Sequence, residues 1–205
     1  MGSQMPIFET EAGKILFIHV PKTGGTTIAN ELQKHHACSY LSKGPEPGCP
    51  CSPQHYDAEL LTKLFQEEDF RYVFMVTRHP VERMVSQFKW EKKFRPDTSP
   101  FSHWLDDSLR KARADPYYRD NHFRPQFEFE CLGAEIFRLE EGLSNLFARL
   151  GTVTGTAYAE ELCRDNAAPG EVVQIGPHDR ALINDTYAQD LERYGYAPGP
   201  QAGGS

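Results

Sequence analysis

Lys14-Ile-Leu-Phe-Ile-His-Val-Pro-Lys-Thr-Gly-Gly-Thr-Thr-Ile28 decides how this chain folds. The apolar run Ile15 to Val20 predicts a strand buried on both faces. Pro21 stops it, because proline has no N–H to give a ladder. Lys22, Thr23, Gly24, Gly25, Thr26 and Thr27 come next, and a helix is expected over 26–36. Strand, glycine-rich turn and helix together build a cradle for an anion. Glycine lets the backbone take a positive φ and approach a ligand closely. The first helical turn leaves N–H groups unpaired, and the helix dipole favours negative charge there. Lys22 adds a full positive charge and the threonine hydroxyls add donors.

The order of residues narrows the ligand. A magnesium-dependent nucleotide loop reads G-x-x-x-x-G-K-[ST], with its lysine after the glycines. Here Lys22 precedes Gly24-Gly25 and enters from the strand side. A phosphate-type ligand fits this arrangement; a standard nucleoside-triphosphate hydrolase or kinase does not. The second informative stretch is Phe70-Arg-Tyr-Val-Phe-Met-Val-Thr-Arg-His-Pro-Val-Glu-Arg-Met-Val-Ser-Gln-Phe88. A strand is expected over 72–77 and a helix over 80–93, with Pro80 in its first turn and Met84, Val85 and Phe88 on its apolar face. Arg78 then stands at the C-terminal end of a strand, where open α/β sheets bind ligands. Ser86 lies two turns into the helix, so both residues reach one anion. A guanidinium makes paired bonds to phosphate, which makes Arg78 the anchor.

The rest of the chain continues the alternation. Helices are expected over 58–67 after the cap Asp57, over 100–114, over 143–150 and over 179–193, and strands over 135–139 and near Val172-Val173. Residues 37–54 read as a proline- and glycine-rich loop. No internal repeat is visible. Alternating strands and helices imply an α/β fold with a central parallel sheet covered on both faces. At 205 residues and 39% hydrophobic, the chain suits a single domain over 1–205, with residues 1–12 and 197–205 expected as flexible tails.

A net charge of −7 argues against a nucleic-acid binder. Most basic residues nevertheless fall within 71–124, as a site for a polyanion requires. The aromatic and basic stretch from Phe94 to Phe127, with Trp104, Tyr117, Tyr118, His122 and Phe123, is the candidate for lining an acceptor site, with a packed core as the alternative. No apolar run is long enough to cross a bilayer, and no N-terminal secretion signal is visible. Five cysteines, an odd number without such a signal, favour reduced thiols; a Cys38–Cys49 or Cys38–Cys51 disulfide stays open for an exported protein. Cys49-Pro-Cys51 with His55 lacks the spacing of a structural zinc site.

Val20-Pro-Lys-Thr-Gly-Gly-Thr-Thr27 resembles the 5′-phosphosulfate loop of sulfotransferases that use 3′-phosphoadenosine 5′-phosphosulfate (PAPS). Arg78-His-Pro-Val-Glu-Arg-Met-Val-Ser86 is similar to their 3′-phosphate motif, R-x-P-x-x-R-x-x-S. Weaker echoes of the carbohydrate branch occur at Asn121–Gln126, Ile136–Glu140 and Tyr187–Tyr196. The resemblance implies a P-loop-like three-layer α/β/α domain that moves a sulfuryl group from PAPS to an acceptor hydroxyl on a carbohydrate or small molecule. It implies cofactor contacts from Lys22, Thr23, Gly24, Gly25, Thr26, Thr27, Arg78 and Ser86, with no metal required. Lys22 would meet the leaving-group charge. His55, ahead of the helix leading into the second strand, is the first choice for the base and His122 the second; a carboxylate stays open. Arg83 belongs to the motif or forms a structural ion pair. The Golgi members of this family carry a membrane anchor, so the expectation here is a cytoplasmic bacterial enzyme or the soluble catalytic domain of an anchored one. A nucleotide kinase and a non-catalytic nucleotide-binding module are the competing readings.

Overall fold

The computed structural model describes residues 6–38, 48–94, 99–158 and 172–198. Its five strands are β1 (Ile7–Thr10), β2 (Gly13–Ile18), β3 (Ala37–Cys38), β4 (Tyr72–Thr77) and β5 (Glu135–Arg138). They form one mixed sheet in the order β3–β1–β2–β4–β5. β2, β4 and β5 are parallel, with Leu16 opposite Val73 and Met75 opposite Ile136. β1 runs antiparallel to both β2 and β3. The helices are α1 (Gly25–His35), α2 (Ala58–Leu64), α3 (Pro80–Phe94), α4 (Phe101–Ala114), α5 (Ser144–Thr154), α6 (Pro177–Thr186) and α7 (Ala188–Arg193).

Side-chain alternation along the parallel strands builds two cores, one on each face. Ile15, Phe17, Phe74 and Val76 pack with Ile28 and Leu32 of α1 and with Leu146, Phe147 and Leu150 of α5. Leu16, Ile18, Val73 and Met75 pack with Leu61 of α2, Leu191 of α7 and the tyrosines Tyr194 and Tyr196. A third cluster joins α3, α4 and α6 through Met84, Phe88, Leu105, Leu109 and Ile183. The fold is the expected α/β arrangement with parallel strands at its centre.

Several sequence expectations need correction. Residues 7–10 are not a tail. Phe8 is fully buried, and the pair Ile7–Leu16 opens a hairpin that turns through Gly13 at φ 120°. A four-residue strand ending in Glu9-Thr10 has too weak a pattern to read alone; the exposed edge of β2 recruits it. Residues 1–5 and 199–205 lie outside the described residues. Ala197, placed in the other tail, accepts a hydrogen bond from His79 Nε2 at 3.0 Å. The last helix breaks at Tyr187, whose ring is buried beside Arg83 and whose hydroxyl donates to the Phe123 carbonyl. Residues 172–176 form no strand. Cys38, Cys49, Cys51 and Cys131 form no disulfide among the described residues, and Cys163 lies outside them. Among the described residues no helix is long and apolar enough to cross a membrane.

Candidate active site

The cradle forms where β2 meets α1. Lys22 and Gly24 both take positive φ, at 71° and 89°, which turns the chain sharply into the helix. Gly24 caps α1, and the first intrahelical bond runs from the Ile28 N–H to the Gly24 carbonyl. The N–H groups of Gly25, Thr26 and Thr27 therefore lack helical partners and face the mouth of the loop. No acidic residue occupies the first turn of α1, so the positive end of its dipole is uncompensated there. Gly25 must be glycine: a Cβ would fall 1.9 Å from His19 Nε2. The Thr23 hydroxyl turns inward and donates to the Val20 carbonyl at 2.9 Å, so its side chain shapes the loop. Thr26 is exposed and Thr27 half-buried, leaving both hydroxyls near solvent.

Arg78 leaves the end of β4, next to β2 in the sheet. Its Nη1 donates to the Lys22 carbonyl at 3.4 Å, which joins the two motifs. Gln126 clamps its backbone from both sides: the Arg78 N–H donates to Oε1 at 2.9 Å and Nε2 donates to the Arg78 carbonyl at 2.8 Å. Asp190 holds Gln126 in turn by accepting its backbone N–H. Asp190 also faces Arg83 at 3.9 Å, both fully buried. Arg83 is thus the structural partner rather than a ligand contact. Its Nη2 donates to the carbonyls of His122 and Arg124, tying the 3′-phosphate motif to the loop that carries His122. Ser86 is half-buried on α3.

Three histidines gather beside the cradle. Ring centroids of His19 and His55 lie 5.1 Å apart, and those of His55 and His122 lie 5.0 Å apart. His55 ends a short 3-10 turn (Pro53–His55) and is only 5% exposed. Its Nδ1 lies 2.8 Å from Asp120 Oδ2. Asp120 also accepts the Ser52 N–H and the Ser52 hydroxyl, each at 2.6 Å. It sits in a run of three left-handed residues, Arg119, Asp120 and Asn121, at φ 54°, 59° and 65°. The side chain of Asn121 fixes the other end of the turn by donating to the His55 carbonyl at 2.8 Å. His122 places Nδ1 2.7 Å from Gln87 Oε1, while Gln87 Nε2 donates to Glu91. That direction puts the hydrogen on His122 Nδ1 and leaves Nε2 with a lone pair.

The electrostatics follow from this crowding. Burial, then the neighbouring His55 and Lys22, push His19 down to about 3. The same causes hold His122 well below the usual histidine range. Burial and then Arg78 lower Lys22 from 10.5 to about 8. Burial works against a charged Asp120, but His55 and the Ser52 bonds outweigh it and hold this carboxyl well below the usual carboxylate range. The Lys22 ammonium lies over the Trp90 ring at 5.1 Å from its centroid, and Trp90 in turn lies 5.4 Å from His122. Candidate ligand atoms of His55, Asp120 and His122 fall within 4.8 Å of one another, close enough to suggest a divalent ion. His55 Nδ1 and Asp120 already bond each other, and the Lys22 charge stands beside them. This set is better suited to moving a proton.

Sequence reading found the cradle, Arg78, His55 and His122, and the structure brings them to one end of the sheet. It missed Asp120, Gln87, Gln126 and Trp90. Gln126 closes the Asn121–Gln126 echo and was within reach; Asp120 had no signal apart from its place just before that echo. Part of the aromatic stretch takes its packed alternative. Trp104 and Tyr118 pack into the cluster of α3, α4 and α6, which also holds Phe123. Tyr117 and Phe123 do border a cavity of about 400 Å³ with Arg124 and Glu128. Among the described residues the exposed aromatics are Trp90, 43% exposed, and Phe94, whose rings meet at a tilt one turn apart on α3. Much of the basic stretch is compensated: Arg110 and Lys111 face Asp107, and Arg124 faces Asp57 and Glu128. Arg95 lies outside the described residues.

This α/β fold brings a glycine-rich strand-to-helix turn and a strand-end arginine together at the C-terminal ends of adjacent parallel strands. A model of the sulfotransferase family matches residues 5–197, nearly the whole chain, and the chain belongs to that family. Membership makes it a transferase of sulfuryl groups. No curated protein and no solved structure matches it significantly.

Proposed function

We propose that this sulfotransferase takes its sulfuryl group from PAPS and passes it to an acceptor hydroxyl by in-line displacement. The single observation that carries this reading is the Arg78 Nη1 bond to the Lys22 carbonyl. It places a guanidinium suited to a 3′-phosphate against a cradle suited to a 5′-phosphosulfate. The residues fit the donor: free N–H groups of Gly25, Thr26 and Thr27 and the Lys22 ammonium for one end, Arg78 and Ser86 for the other.

PAPS supplies an activated sulfur whose bond to the bridging oxygen is ready to break. His55 accepts the acceptor's hydroxyl proton on Nε2 as the acceptor oxygen bonds to sulfur. The electron pair of the broken bridging S–O bond remains on the 5′-phosphate. Lys22 and the cradle N–H groups meet that growing charge, and their fixed geometry makes them more effective than water. Lys22, lowered to about 8 by burial and Arg78, becomes more firmly protonated once an anion is beside it. His122 stands behind His55 as a second neutral imidazole. The exposed Trp90–Phe94 pair beside Lys22 favours an acceptor with a flat apolar face, such as a sugar ring.

Thermal shift with adenosine 3′,5′-bisphosphate against ATP with magnesium tests the donor. Stabilisation by the bisphosphate is expected; stabilisation by ATP–magnesium alone would sink the proposal. Turnover of labelled PAPS over an acceptor panel then separates an enzyme from a binding module.

A further inference from the structure

We infer that Asp120 is the positioning residue of the catalytic base: it fixes His55 in the tautomer whose Nε2 is free to take the acceptor's proton. This rests on the reading of His55 as the base.

The geometry carries it in three parts. First, an ionised carboxylate only accepts hydrogen bonds. Asp120 Oδ2 at 2.8 Å from Nδ1 therefore requires a hydrogen on Nδ1, so the neutral ring carries its lone pair on Nε2. Second, the carboxylate cannot swing away. Oδ1 is held by the Ser52 N–H and Oδ2 by the Ser52 hydroxyl. Third, the backbone that presents Asp120 is held in an uncommon conformation. Three successive non-glycine residues in the left-handed region are costly, and Asn121 locks the turn to the His55 carbonyl. The rings beside His55 are His19 after β2 and His122 in the loop that carries Asp120, while Ser52 and Cys51 bond the His55 backbone. Asp120 is the one carboxylate bonded to its ring among the described residues, so it stabilises the imidazolium formed when the proton arrives. The proton moves from the acceptor oxygen to Nε2, and the Nδ1 hydrogen stays between His55 and Asp120.

Asp120→Asn tests this with little change in shape. Oδ1 can still accept the Ser52 N–H, but an amide NH₂ then faces His55 Nδ1. The ring must offer a lone pair there, which moves its hydrogen to Nε2 and blocks the base. Nitrogen-15 NMR of the imidazoles, kcat and calorimetric affinity for adenosine 3′,5′-bisphosphate are measured in wild type, D120N, H55A and the double variant. The expected result is an Nδ1–H tautomer for His55 in wild type and an Nε2–H tautomer in D120N. The kcat of D120N should fall about 100-fold or more, with bisphosphate affinity within about threefold of wild type, because the substitution removes none of the cradle N–H groups, Lys22 or Arg78. In the H55A background the same substitution should produce no further loss. An Nε2–H tautomer in wild type overturns the proposal, and that measurement needs no variant to fold. So does an equal loss from D120N with and without His55, which would mark a purely structural role. Wild-type turnover in H55A would instead overturn the base assignment itself, whatever the tautomer.

Discussion

Lys22→Met should stabilise the donor-free protein while abolishing its turnover. The ammonium is partly buried beside Arg78, and its pKa falls from 10.5 to about 8. At about 1.4 kcal/mol for each tenfold change, that drop corresponds to about 3 kcal/mol of unfavourable charge burial at neutral pH. Methionine keeps the apolar stem and removes the charge. It also removes the cation–π contact with Trp90, worth about 0.5–1 kcal/mol at an exposed ring. The net gain is about 2 kcal/mol, or a rise in Tm of about 4–8 °C for a chain of this size. The pH dependence gives the sharper test. Between about 8 and 10.5 the unfolded chain binds the Lys22 proton more tightly than the folded one. Wild-type stability relative to K22M must therefore rise across that window. Below 8 the penalty is fully present; above 10.5 it is gone. Differential scanning fluorimetry at pH 7 and at about pH 11 measures both limits. Equal Tm values at pH 7, or a difference that pH does not narrow, would refute the argument. Adding adenosine 3′,5′-bisphosphate should reverse the order, because wild type gains an ion pair that K22M cannot make.

Arg78→Ala should weaken calorimetric binding of adenosine 3′,5′-bisphosphate by about 2–4 kcal/mol, through loss of a paired contact; unchanged affinity would place the 3′-phosphate elsewhere. Gly25→Ala drives a methyl group into His19, and the shifted loop should lose about 10²-fold in kcat/KM with the fold retained by circular dichroism. Activity within twofold of wild type would show that the loop absorbs the change. Arg83→Ala leaves Asp190 buried without its cation, and urea unfolding should report a loss of about 3–5 kcal/mol; a loss below about 1 kcal/mol would mean that Gln126 and Phe127 satisfy Asp190 unaided.

Both anion motifs were legible because each is local. Val20 to Thr27 needs only a strand end, two glycines and the first turn of α1, and all of these are consecutive in sequence. Arg78 is likewise fixed by β4 before it and α3 after it. The parallel centre of the sheet followed from the alternation of elements. β1 escaped because four residues carry little periodicity, and the break at Tyr187 escaped because a helix pattern runs through it unchanged.

Tertiary structure alone decided which carboxylate meets His55. Asp120 and His55 are 65 residues apart and meet through a left-handed turn that no residue type in it announces. Gln126, Asp190 and Arg83 are polar residues scattered over the chain, and burial makes them partners because none can stay unpaired away from water. Trp104 and Trp90 looked alike in sequence; one went into the core between α3 and α4 and the other stayed beside Lys22. Sequence alone determined where the glycine turn and the strand-end arginine stand, since short-range backbone geometry sets that. Folding determined which histidine gained a carboxylate, since a hydrogen bond depends on distance in space and not along the chain.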